Sequence, residues 1–461
     1  MRKIANFTFL LFALLILWNC GDDSNNATGP NMLEGEAPRE RQFVWEAMNF
    51  WYFYQQEVDI LADDKSFFDS EQDFQDFLTS FNTTQDLFNT LLIEDDEFSF
   101  FIENFEEFDS GDFISKTMDM EPGFGFNFGL VRISSNSNDV IGYVQFIQPG
   151  SPADSSELER GDIFTGVSGE DGPRLNINNI NSELSQNSFD LVMAEIDSSD
   201  NTVSETGEII SLEQAPLEDN PVFLSKVLDV GSSQVGYVVY NSFQTSSHEE
   251  LNDIFGDFNA QGVDEIVVDL RYNGGGALVT SAVLSSMVSG LGTSNIFAQL
   301  QFNEKRSAQN ETVTFLDQVP LFNENGQQES EIPMNKLSMD RIFILTGFQT
   351  ASASEVLING LLPFRDVVQV GEETVGKDEG SIMLFDSPSD GFTNRQNANS
   401  DHKVALQPIV FKDVNANGEG FPEDPDPTDN DPSGGFIPDD PENRMREVSF
   451  LAGGLPPLGD K

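Results

Sequence analysis

The 461-residue sequence predicts a multidomain α+β protein, and three observations carry that expectation. Phenylalanines recur at helical steps near the amino terminus, short β-rich runs broken by Gly, Pro and Asp follow, and apolar strands then alternate with helical patterns to about residue 412. Length alone suggests roughly three units, each able to bury a core. With 79 acidic and 23 basic residues the formal charge is -56. Phosphates would be repelled from nearly every face, which excludes nucleic acid as a partner.

Residues 1–20 read as a secretion signal: Arg2 and Lys3, the apolar run NFTFLLFALLILW, then Cys20 before polar GDDSNNATGPN. Cys20 is the one cysteine, so the chain holds no internal disulfide and no thiolate metal site. Its position resembles the lipobox of bacterial lipoproteins, although Trp18 and Asn19 stand where small residues are usual. The resemblance implies a lipidated Cys20 and a membrane-anchored protein of the cell envelope, periplasmic or surface-exposed. Asp22 and Asp23 resemble acidic export signals of surface lipoproteins; a short uncleaved anchor helix is the plainer alternative. Residues 21–40 are polar with Gly and Pro, as in a tether.

Within 41–118, Phe74, Phe77, Phe81 and Phe88 fall at three, four and seven residue steps, which predicts a helical N-terminal domain packing a phenylalanine stripe as core. Residues 119–215 read as a β-domain: GFGFNFGLV at 123–131, then GSPAD, Leu158, RGDIFTGVSG and EIISLEQ in order. These segments resemble a PDZ domain, with Gly123, Phe124, Gly125 and Phe126 as its carboxylate-binding loop. Backbone N–H groups of such a loop hold a terminal carboxylate while a strand edge pairs with an extended peptide.

Residues 216–412 change to an α/β pattern. EIVVDLR is an apolar strand, NGGG (273–276) a tight turn and ALVTSAVLSSMVSG a helix; RIFILTG, TASASE and DVVQVG repeat the scheme. A mainly parallel sheet is expected, with sites at the carboxyl ends of its strands. In the acidic tail, 413–461, Asp413, Asn415, Asn417 and Gly418 fit positions one, three, five and six of a calcium loop. Asp424 stands in place of the usual glutamate and Pro422 lies inside, so a solvated turn is the simpler reading and calcium the secondary one.

Ser352 stands in two patterns at once. With Glu355 it forms the S-x-x-E of a capping box before an apolar helix, and as a hydroxyl at a strand-to-helix turn it is a candidate nucleophile. His248 and His402 are the two histidines available as a triad base, and neither is singled out by its surroundings. Lys377 is the other candidate, since Ser-Lys variants of the triad exist. Such a base has to be neutral, so burial must pull it well below ~10.4. Glu372, Glu373, Asp378 and Glu379 oppose this unless they point to water, and on these grounds alone an exposed lysine is the simpler reading. An oxyanion hole could come from the Ala353 N–H and a glycine of NGGG; a plain tight turn or a phosphate cradle is the alternative for that stretch.

Taken together, these residues resemble the carboxyl-terminal processing peptidases, or tail-specific proteases, a serine endopeptidase family. TASASE resembles the family's SASASE, which places the nucleophile on Ser352. TVGK resembles TFGK or TYGK, and Lys377 lies the family's usual 25 residues further on. VDLRYNGGG resembles DLRxNxGG, which implies oxyanion donors at Gly276 and Ala353. The resemblance spans roughly residues 43 to 412. It implies a crotonase/ClpP-like core, a Ser-Lys dyad, a polypeptide substrate captured by the PDZ domain, and no cofactor or metal. One departure is Ser381, where many members carry a glutamine that orients the lysine. It leaves a second reading open: a peptide-binding lipoprotein with weak or no catalysis.

Overall fold

The computed structural model describes residues 37–106, 123–133, 137–167, 174–184, 186–197, 202–217, 220–323 and 326–421. Cys20, Pro422 and Asp424 lie outside them. Near the amino terminus three helices form, α1 (Arg39–Trp51), α2 (Glu71–Thr79) and α3 (Thr84–Thr90). Side chains start two of them: Ser70 Oγ accepts from the Asp73 N–H at 3.1 Å, and Thr83 with Asp86 closes a reciprocal capping box. The phenylalanine stripe packs as expected, with Phe74 and Phe88 buried and Phe77 and Phe81 against the same cluster.

That cluster is completed by the far end of the chain. Leu300, Phe302, Leu384, Val404, Leu406, Ile409 and Val410 share it, and the strand Phe100–Ile102 pairs antiparallel with Ala405–Gln407. An ion pair locks the same junction: Arg39 Nε donates to both oxygens of the buried Asp386 at 3.0 and 3.1 Å. Asn399 Nδ2 and His402 Nε2 donate to the same carboxylate at 3.0 and 3.2 Å. His402 Nδ1 accepts from the Val404 N–H, which leaves the proton on Nε2.

A second unit is a five-stranded antiparallel sheet, Phe126–Arg132, Val140–Ile147, Ile163–Gly166, Ser188–Asp197 and Thr202–Glu213 in chain order, with the short helix α4 (Ile180–Leu184) beside it. Phe124, Phe126, Phe128, Phe164 and Phe189 fill its core.

The third unit is built on five strands in the order Asp366–Gly371, Arg341–Thr346, Glu265–Asp269, Ser233–Tyr240 and Val222–Val230. All neighbours but the last pair are parallel. Helices α5 (His248–Gln261), α6 (Leu278–Ser289) and α7 (Ala353–Leu361) share its core, and α6 is buried over its length from Thr280 onward. After the edge strand Asp366–Gly371 the chain leaves this sheet, and Glu379–Ser381 pairs antiparallel with Ile409–Val414 in another. The strand Ile409–Val414 runs past the expected boundary at 412. Its turn docks on α7: Asn415 Nδ2 donates to Asn359 Oδ1, and Asn415 Oδ1 accepts the N–H groups of Asn417 and Glu419. The turn therefore spends on itself an oxygen that a calcium loop would need.

Burial alone would raise the Asp386 carboxyl, but hydrogen bonds from His402 and Arg39 outweigh it and hold it at about 2. A depressed carboxyl stabilises the fold above its unfolded value of ~3.9 and loses that contribution as pH falls through its folded value. Asp386→Asn is expected to cost about 3 kcal/mol in denaturant unfolding at pH 7. The variant should also lack the wild-type loss of stability between about pH 4 and pH 2, read by thermal unfolding across that range.

Candidate active site

Three adjacent parallel strands end at the three segments of interest. Glu265–Asp269 runs into the glycine turn, Arg341–Thr346 into Ser352, and Asp366–Gly371 into Lys377. The carboxyl-end placement expected for this sheet is met.

The glycine turn is rigidly set. Asn273 is fully buried; its Nδ2 donates to the Tyr240 carbonyl at 2.8 Å and its Oδ1 accepts the Gly275 N–H at 2.9 Å. Gly275 has φ 108°, and a Cβ there would lie 2.8 Å from Ser352 Cβ and 3.0 Å from the Ala353 nitrogen. Gly276 has φ 140°, and its Cβ would strike the Phe243 carbonyl oxygen at 2.5 Å. Only glycine lets this backbone lie against the serine turn. Behind it, Arg271 chelates the buried Asp269 at 2.9 and 2.6 Å, and Tyr237 Oη donates to the same carboxylate at 2.6 Å.

Ser352 occupies a backbone conformation that L-residues avoid, φ 54° and ψ -119°. The turn around it is stitched to the glycine turn. The Ala351 N–H and Ser354 Oγ donate to the Asn273 carbonyl at 3.2 and 3.0 Å, and Thr350 Oγ1 donates to the Leu270 carbonyl at 2.8 Å. Ser281 Oγ from α6 donates to the Ala353 carbonyl at 2.7 Å. Ala353 opens α7, where a first-turn N–H has no intrahelical acceptor.

Glu355 joins the serine to the lysine. It is 0% exposed, and Oε1 accepts from Thr374 Oγ1 at 2.5 Å and from the Gly376 N–H at 2.7 Å. Oε2 accepts the Ser352 N–H at 2.8 Å and the Lys377 N–H at 3.0 Å. The two backbone nitrogens are thus no further apart than the sum of those distances. The S-x-x-E pattern does make a cap contact, the Glu355 carboxylate accepting the Ser352 N–H, but the same carboxylate also binds the lysine segment. Burial raises the Glu355 carboxyl to about 7 against the pull of these four hydrogen bonds.

The acids beside Lys377 divide. Glu372 and Glu373 are exposed, whereas Asp378 and Glu379 turn inward rather than to water. Lys412 Nζ lies 3.6 Å from Asp378 and 3.5 Å from Glu379, and Tyr54 Oη donates to Glu379. Burial pushes both carboxyls up. Lys377 is half-buried, its Nζ 5.0 Å from the centroid of the Phe98 ring. Ser381 Oγ, where the family glutamine would stand, accepts from Gln407 Nε2 at 3.0 Å.

The histidines are committed elsewhere. His248 is buried, with Nδ1 2.7 Å from the Pro320 carbonyl and Nε2 2.8 Å from Thr280 Oγ1, and burial lowers its proton affinity. His402 serves Asp386. Among the described residues no cluster of three His, Cys, Asp or Glu could hold a metal ion, and no helix is long and apolar enough to cross a membrane.

In the antiparallel unit Phe124 and Phe126 point into the core. Gly125 has φ 78°, and a Cβ there would overlap Ser151. Arg160 bridges this unit to the glycine turn: Nε donates to the Gln145 carbonyl at 2.7 Å and a terminal nitrogen donates to Tyr272 Oη at 2.9 Å. No local motif marks Phe98 or Gln407, and although Arg160 and Tyr272 stand in the quoted RGDIFTGVSG and VDLRYNGGG, nothing local shows their contact, because it joins segments far apart in the chain.

Fold and site define a class, the multidomain α+β scaffold of the S41 peptidases. Residues 234–392 match the model of peptidase family S41, and residues 39–100 match that of the peptidase S41 N-terminal domain. Both matches fall in chain order, so these two stretches are similar to peptidase family S41 and to its N-terminal domain. It is 25% identical over 262 residues to a carboxyl-terminal-processing protease of Picosynechococcus sp., covering 56% of each chain. It is 26% identical over 270 residues to one of Synechocystis sp., covering 57% of this chain and 55% of that one. The chain thus spans about half the length of the curated relatives it matches. Its fold is similar to that of a candidate S41 protease from Bacteroides fragilis, with a TM-score of 0.61 at 21% identity over 93% of this chain and 94% of that one.

Glu355 binds a proton more tightly folded than unfolded, so its contribution to stability is full below about pH 4 and declines as pH rises through about 7. Glu355→Gln is expected to flatten that decline in thermal unfolding between pH 5 and 8. At pH 7 it should also lose about 2 kcal/mol, because an amide turns a donor toward two of the four groups that now donate to the carboxylate.

Proposed function

We propose that this protein is a serine endopeptidase in which Ser352 is the nucleophile and Lys377 its base. The observation that carries the reading is the single Glu355 oxygen that accepts both the Ser352 and the Lys377 N–H. As Ser352 Oγ bonds to the scissile carbonyl carbon, Lys377 Nζ takes its proton, and the N–H groups of Gly276 and Ala353 receive the oxyanion. Collapse expels the amine, which leaves with the proton from Lys377, and an ester remains on Ser352. Lys377 then deprotonates water, the second tetrahedral intermediate breaks the ester, and Ser352 recovers its proton.

On this reading the antiparallel unit is a PDZ domain. The backbone of Gly123, Phe124, Gly125 and Phe126 holds the carboxylate end of a peptide, and the exposed edge of Phe126–Arg132 pairs with its chain. The Arg160 contact with Tyr272 gives peptide capture a route to the glycine turn. The motif at Cys20 supports export and lipid anchoring in the cell envelope. A second reading, a peptide-binding lipoprotein with little or no catalysis, is favoured by one observation: Ser381 is occupied by Gln407.

Incubating the chain from residue 21 with an unstructured protein tests the first reading. Wild type should cleave between pH 6 and 10, and Ser352→Ala and Lys377→Ala should abolish cleavage; equal survival of substrate in all three samples would leave only the second. Arg160→Ala is expected to lower kcat/KM by at least about fivefold with peptide affinity unchanged in a fluorescence titration.

A further inference from the structure

The N-terminal unit, which the mechanism above does not use, reaches the lysine. Phe98 sits on a turn pinned from both sides. The Asp96 carboxylate accepts the Phe98 and Ser99 N–H groups at 3.0 and 2.8 Å and the Tyr52 hydroxyl at 2.7 Å. Ser99 Oγ accepts the Ile409 N–H at 2.9 Å, fastening the turn to the strand that also pairs with Glu379–Ser381. The Phe98 ring thereby stands 5.0 Å from Lys377 Nζ.

We propose that Phe98 is a positioning residue for Lys377, its ring fixing where the amine lies and keeping water from one side of it. This rests on the peptidase reading, in which Lys377 is the base. A lysine on a four-carbon stem loses much rotamer freedom when it is held, and its backbone N–H is tied at the other end to Glu355. A ring wall holds the amine without adding an anion. The charged and titratable groups on the elements that meet at this segment are Glu355 on α7, Asp378 and Glu379 on the lysine's own segment, Asp413 and Lys412 on the strand opposite, and Asp96 and Tyr54 in the N-terminal unit. Of the acids closest in sequence, Asp378 and Glu379 are drawn to Lys412 and Tyr54, the latter again from the N-terminal unit. The unit thus supplies the wall and removes a competing anion.

Phe98→Ala admits water, which favours the ammonium, and Phe98→Leu keeps an apolar wall without a ring face. Two readouts are taken on wild type and both variants: kcat/KM against pH on an unstructured protein, and the pH dependence of Lys377 acetylation by acetic anhydride, read by mass spectrometry. For Phe98→Ala the acid limb and the acetylation curve are expected to move up by about one pH unit, about tenfold in rate at pH 7, with less loss at pH 10. Phe98→Leu should stay close to wild type in both. A Phe98→Ala variant that unfolds at lower temperature but keeps both curves in place would overturn the proposal, leaving the ring a packing role. The acetylation curve decides this even where no cleavage is seen, and loss of cleavage in wild type would instead count against the peptidase reading.

Discussion

A carboxylate taken wholly out of water is the constraint on which this site depends. Burying Glu355 would cost several kcal/mol were it left without donors. Four donors answer it, and three of them are backbone N–H groups of Ser352, Gly376 and Lys377. Backbone donors cannot swing away as side chains can, so satisfying the carboxylate fixes two loops from two different strand ends. The nearby Asp413 sharpens this. It is fully buried, with its carboxyl raised by burial and then by the charges of Asp378 and Glu355.

The strain at Ser352 follows from the same arrangement. A positive φ of this kind costs of order 1–3 kcal/mol, and only a surrounding network that over-determines it can hold it. Here the network is the pair of turns at the ends of adjacent strands, joined through the Asn273 and Leu270 carbonyls and the Ser281 hydroxyl. Gly275 is the point where they touch. Its missing side chain lets the Ala353 nitrogen and Ser352 Cβ come close enough for the two turns to form one surface.

How much of this could be read beforehand depends on the distance over which each residue acts. The phenylalanine stripe was legible because helical spacing is a local signal, and Ser352, Lys377 and the NGGG turn were legible because each stands in a short run with its own turn chemistry. Glu355 was half legible: S-x-x-E is what a capping box looks like, and nothing local shows that the same carboxylate has a second partner 22 positions away. For Lys377 to act as a base, Asp378 and Glu379 had to point to water, and sequence neighbours say nothing of Tyr54 or Lys412. Nor could spacing reveal that the first helices complete their core with Leu406 and Ile409, more than three hundred residues on.

Two cations packed against the N-terminal unit, Arg306 and Lys377, face aromatic rings of that unit. Arg306 is buried with its Nε unpaired, its guanidinium 3.5 Å from the Trp51 ring and 4.4 Å from that of Phe50, and burial lowers its proton affinity to about 10. Lys377 also faces a ring, its Nζ 5.0 Å from the centroid of Phe98. In a protein with 79 acidic residues a carboxylate partner would be easy to provide. Such a partner within a few ångströms stabilises the charged form by roughly 1–3 pKa units, whereas a ring face gives only ~0.5–1 kcal/mol at a partly exposed site. For an arginine the difference is immaterial, because it stays charged either way. On the proposed reading, in which Lys377 releases a proton, the difference is decisive, since a carboxylate contact fixes an amine in place only by keeping it protonated, and an aromatic one fixes it while leaving the proton free to go.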